Sequence, residues 1–225
     1  SHGPYILTRN SAYFREVEVE IDREDGAVDP EPYDTHIHPV RPPDFPRYRL
    51  NMEAVYHRAG IKITRAAGET SVIDSTEAGG DVRWTENELH DSMELHWSAF
   101  ANRAQWKMWI FLAELGKLDR WGNDTLGGMM FDGHIDEPGG VDRQGTAIFT
   151  LCPHFHTAGG DYCQANPPAA EAAQRELFFD LVHESGHAFN LYHSFSKTFD
   201  PGGVGIPHFP WDAPPWMPVT DRVQA

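Results

Sequence analysis

The chain carries His183, Glu184 and His187 in one short run, His183-Glu184-Ser185-Gly186-His187, and a further histidine at 193. Residues four apart stack on one face of a helix, so the two imidazoles of the run can close on one metal ion. Glu184 sits beside them, placed to handle a proton of a water that the metal activates. His193 can supply a third nitrogen. Three protein ligands with one position left for water is the arrangement of a catalytic rather than a structural zinc. One Zn2+ is therefore the cofactor these residues predict.

Such a site needs a helix beneath it. Asn166 can cap one and Pro167 suits its first turn, where a missing N–H costs nothing. Residues 169–174 are mostly strong helix formers. Leu177, Leu181 and Ala188 fall on one row, and Phe178, Val182 and Phe189 on the next. That apolar stripe predicts a helix packed into a core, with its histidines facing a cleft. His193 lies six residues past His187. A continuing helix would carry it about 120° off the ligand face and about 9 Å along the axis. The helix must therefore stop between them, and Asn190, a residue that tolerates the left-handed conformation, is the expected break.

The run 183–193 resembles the signature of the metzincin zinc endopeptidases, His-Glu-x-x-His-x-x-Gly-x-x-His, with Asn190 at the glycine position. The resemblance implies a methionine in a tight turn beneath the metal. Met217, in Pro215-Trp216-Met217-Pro218, matches by order and turn context. Val219 occupies the position where some metzincins carry a tyrosine ligand, so no such ligand is implied. The resemblance also implies an α+β fold: a twisted mixed β-sheet with packing helices, then the active-site helix and the Met-turn. The strand over Gly145, Thr146, Ala147, Ile148 and Phe149 would then form the sheet edge along the cleft. Its open N–H and C=O groups could align an extended peptide.

Elsewhere the pattern supports the same class. Residues 13–21 alternate and read as a strand with one wet face. Asn51 to Ala59 reads as a helix ended by Gly60, followed by a short strand at 61–64. Thr85 begins a capped helix reaching about Ala101. Residues 106–115, 128–131 and 146–150 read as strands, the first of them buried. Residues 1–50, a strand and a Pro-rich segment, are expected to belong to one domain with the zinc-binding part, 51–225.

Composition narrows the partners. A net charge of −16 argues against nucleic acid and anionic membrane surfaces, and leaves cationic substrates open. No run approaches the length of a membrane span. Ser1-His2-Gly3-Pro4 resembles a processed end and does not report targeting. Cys152 and Cys163 bracket a short loop-like segment, and a disulfide between them would favour a secreted or extracytoplasmic setting. The pairs His36/His38 and His154/His156 read as surface histidines. Asp132, His134, Asp136 and Asp142 read as turn solvation, with a structural metal as the alternative. Trp97, Trp106 and Trp109 read as core.

The expected function is zinc-dependent hydrolysis of peptide bonds in a protein or peptide substrate, with Glu184 as general base. Two alternatives stay open. One is a zinc-binding interaction domain without catalysis; the other is a zinc hydrolase of a non-peptide bond.

Overall fold

The computed structural model describes residues 11–38, 41–68, 70–101, 103, 105–117, 126–132, 144–156, 169–189 and 191. The first described strand, β1 (Arg15–Glu24), lies inside the sheet rather than at its margin. A two-residue strand β2 (Tyr33–Asp34) pairs with β3 (Arg49–Leu50) in a separate ribbon. Helix α1 (Met52–Arg58) is capped by the Asn51 side chain on the Ala54 N–H, and Gly60 follows it at φ +81°. Then come β4 (Ile61–Arg65), β5 (Val72–Ile73), α2 (Glu86–His96), β6 (Lys107–Ala113), β7 (Gly128–Met129), β8 (Gly145–Phe149), the short α3 (Pro153–His156) and α4 (Ala169–Ala188).

The main sheet runs β4-β1-β6-β8-β7, with β5 beside the far end of β1. All pairings are parallel except β7 with β8, so the architecture is α+β with a mixed, mostly parallel sheet. Strands β6 and β8 are buried nearly throughout, as parallel strands covered on both faces must be. Gly145 is backed by Met93 of α2 and by Phe131. Ile148, on the alternate side of β8, lies beside Gly128 and the α4 residue Glu184. Helix α2 therefore covers one face, and α4 with its neighbour α1 the other.

Several expectations need correction. The strand 145–149 is not the sheet edge. β7 pairs on its outer side, Gly128 opposite Ile148 and Met129 opposite Ala147, and β7 takes the edge position. The helix begun at Thr85 stops at His96, because Trp97 turns extended (ψ 112°) to bury its indole. Strand β1 runs past the expected 13–21, to Glu24. Asp22 and Glu24 are fully buried, and their carboxylates accept the indole N–H groups of Trp109 (2.7 Å) and Trp84 (3.0 Å). Trp97 and Trp109 are core, but Trp106 is 57% exposed and lies under the Arg15 guanidinium. Residues 153–156 form a helical turn instead of a loop. No helix among the described residues is long and apolar enough to cross a membrane.

Candidate metal centre

Helix α4 positions the site by burying one stripe and presenting another. Leu177, Leu181, Val182 and Ala188 enter the core, and Phe178 and Phe189 pack against it. Two long-range contacts hold the functional half in place. The Tyr56 hydroxyl of α1 donates to the Val182 carbonyl at 2.7 Å. The buried Ser185 hydroxyl turns back to the Leu181 carbonyl and touches the Met52 sulfur. Burial raises the Tyr56 hydroxyl pKa, and the charge of Glu184 adds to the effect. Tyr56 thus stays a donor.

His183 and His187 do meet. Their Nε2 atoms are 3.1 Å apart, with the rings edge to face. Nδ1 of His187 is 2.8 Å from the Leu191 carbonyl oxygen. A carbonyl only accepts, so Nδ1 carries the proton and Nε2 of the neutral ring presents a lone pair toward His183. A hydrogen bond from the other ring nitrogen to a carbonyl sets the tautomer of a histidine that ligates a metal. Two zinc–nitrogen bonds of about 2.0–2.1 Å in tetrahedral array need nitrogens about 3.3 Å apart. The separation present is close to that, so the pair fits a zinc ion. His183, Glu184 and His187 are the one group of three such residues, among those described, with ligand atoms close enough to hold a cation.

Glu184 lies alongside the two histidines rather than between them. One carboxylate oxygen is 4.0 Å from the His183 Nε2; the other accepts the Met130 backbone N–H at 3.0 Å. The side chain is only 14% exposed. Desolvation pushes its pKa up to about 7, against the opposing pull of the Met130 amide. A carboxylate in that range suits proton transfer at neutral pH.

Helix α4 ends at Ala188, and the Leu191 N–H donates to the Gly186 carbonyl at 3.0 Å. Asn190 and His193 themselves lie outside the described residues, as do Met217, Val219, Asn166, Pro167, His134, Asp136 and Asp142. Cys152 is buried, while Cys163 lies outside the described residues with the proposed pairing.

The other polar clusters hold backbone. Asp132 is buried and accepts the Gln144 N–H at 2.7 Å, with His90 Nδ1 at 3.5 Å. His36 Nε2 meets the Phe45 carbonyl at 2.9 Å. The side chains of His154 and His156 lie outside the described set.

Reading by residue type missed four contributors: Tyr56, Gly128, Met130 and Leu191. Two of them act through backbone groups, which leave no mark in the sequence. The Gly127-Gly128 pair did carry a signal, since glycine within a strand marks a close approach. A Cβ on Gly128 would lie 2.9 Å from the Glu184 Cγ, and one on Gly127 would lie 1.9 Å from an Asp180 oxygen. No protein-family model, curated protein or solved structure matches this chain.

Proposed function

We propose that the protein is a zinc-dependent endopeptidase, with His183, His187 and His193 as metal ligands and Glu184 as general base. The observation that carries this reading is the convergence of two imidazole nitrogens beside a largely desolvated carboxylate on one helix. A structural zinc site needs no such carboxylate, which favours catalysis over an interaction domain. The mixed sheet with packing helices ahead of α4 also accords with the metzincin resemblance. The placement of β7 at the sheet edge, next to Glu184, offers the row of backbone groups on which an extended peptide can pair.

A zinc ion held here would acidify a water and stabilise negative charge on the scissile carbonyl oxygen. Glu184 takes the proton from the attacking water. Having gained it in a low-dielectric pocket, Glu184 then delivers it to the departing amine. The Leu191 carbonyl keeps His187 in the tautomer that offers Nε2. Tyr56 fixes the helix turn on which Glu184 sits. The apolar floor under α4 limits how far the helix can shift.

Glu184→Gln tests the mechanism. Zinc should remain near one per chain, while cleavage of a peptide library falls by about 100-fold or more. Equal cleavage by both proteins, with zinc confirmed in each, would remove Glu184 from the mechanism. Absence of peptide cleavage by the zinc-loaded parent, alongside ester or amide hydrolysis, would favour a hydrolase of another bond.

A further inference from the structure

Strand β7 and Met130, the residue that follows it, each touch Glu184. The Gly128 backbone lies against the Glu184 Cγ, so close that a Cβ there would be at 2.9 Å from it and 3.0 Å from the Ala147 carbonyl oxygen. The Met130 N–H donates to one carboxylate oxygen at 3.0 Å. The ladder explains why that amide is available. The Phe149 N–H bonds the Gly127 carbonyl, and Met129 stands opposite Ala147. Polar groups alternate along an antiparallel strand, so those of Gly127 and Met129 turn to β8 and those of Gly128 and Met130 turn outward. Glu184 takes an amide that the sheet leaves unused.

We propose that β7 is the positioning element of the general base: Gly128 gives the carboxylate its place, and the Met130 N–H fixes its orientation. This rests on the peptidase reading for its catalytic consequence. A glutamate side chain has three rotatable bonds. Helix α4 fixes only the Cα of residue 184, so α4 alone leaves the carboxylate several positions. Held at Cγ by a glycine and at one oxygen by a charge-assisted hydrogen bond, the side chain keeps its other oxygen toward the histidines. A displacement of about 1 Å in such a group costs about 100-fold in rate. The same strand is the edge on which a peptide would pair, so base and substrate would share one ruler.

The experiment uses the zinc-loaded full chain. In Gly128→Ala and in Met130→Pro, kcat should fall by about 10- to 100-fold, with zinc affinity within about 2-fold of the parent. A fold-wide disturbance would move zinc affinity as well. Hydrogen exchange at Met130 provides a readout that needs neither β7 variant nor activity. Glu184→Ala leaves the strand untouched and should speed exchange of that amide by about 10-fold or more. Exchange unchanged in Glu184→Ala overturns the proposal, as does an unchanged or higher kcat in both β7 variants with zinc bound. If the parent cleaves no peptide, the peptidase reading fails instead, and exchange at Met130 still decides whether β7 holds the carboxylate.

Discussion

His187 shows how much one hydrogen bond can settle. Its Nδ1 is committed to the Leu191 carbonyl, so the ring cannot turn without losing that bond. A cation held by His183 and His187 therefore stabilises the whole fold by linkage. At a free zinc concentration about 100 times its dissociation constant the gain is about 2.7 kcal/mol. For a chain this size that raises the melting temperature by about 5–10 °C. Zinc titration followed by thermal melting should give the same rise in the parent and in Glu184→Gln, and none in His187→Ala. A full rise in His187→Ala would place the metal elsewhere. Val82 makes a second residue-scale case. It sits at φ 54°, ψ 28°, left-handed backbone that a β-branched residue resists, and its side chain is mostly exposed. Replacing it loses few contacts and relieves about 1–2 kcal/mol of backbone strain. Val82→Asn should stabilise the protein by about 1 kcal/mol in chemical denaturation, since Asn tolerates that conformation. No gain, or a loss, would show that Val82 has a packing role.

At the scale of elements, β1 carries the least expected feature. The alternation read over 13–21 stopped short of Asp22 and Glu24, and both are buried among Trp109 and Trp84. Alternation reports which residues share a face; it cannot report that indoles from β6 and from the segment before α2 will cover that face. Desolvation raises both carboxyl pKa values, against the hydrogen bonds they accept. A group whose native pKa exceeds its unfolded value gives stability that is whole below the unfolded pKa and lost as pH rises through the native one. Glu24→Gln removes that loss at one site. The stability of the variant relative to the parent should therefore improve as pH rises above about 4. A difference that stays flat with pH would mean that Glu24 titrates alike in both states. Helix starts were more legible than helix ends. Thr85 and Glu88 form the reciprocal cap expected from their spacing, and Asn51 caps α1. The stop at His96 depends on where Trp97 finds room, which is a tertiary matter.

At the scale of the molecule, the mixed α+β class was what the metzincin resemblance implied, while most strands followed from periodicity. Strand order did not. Placing the cleft edge at 145–149 and not at 128–129 was an error of one strand, because β7 pairs through only two residues and has almost no pattern of its own. The meeting of His183 and His187 was legible because helical spacing alone brings the two together. The Met130 amide was not, because every residue but proline has that group. The net charge of −16 leaves a further expectation. Cleavage of Lys- and Arg-rich peptides should slow as ionic strength rises from about 0.01 M to about 1 M, while neutral peptides change little. Equal salt dependence for both would remove charge from substrate choice.

The interior place of β1 has a consequence in time. Glu18 of β1 pairs with Lys107, 89 residues further on, and Tyr56 reaches Val182 across 126. The first of the described strands thus waits longest for both neighbours, and the helix bearing the histidines is expected to dock after the sheet beneath it. Contacts this distant along the chain close slowly. In refolding, burial of Trp84 and Trp109 should precede the ability to capture metal, and stopped-flow tryptophan fluorescence beside a metal indicator would order the two. Superimposable traces would mean that sheet and α4 close in a single step. A lag would mean that the nascent chain passes through a stage in which a formed sheet still leaves its apolar α4 face uncovered.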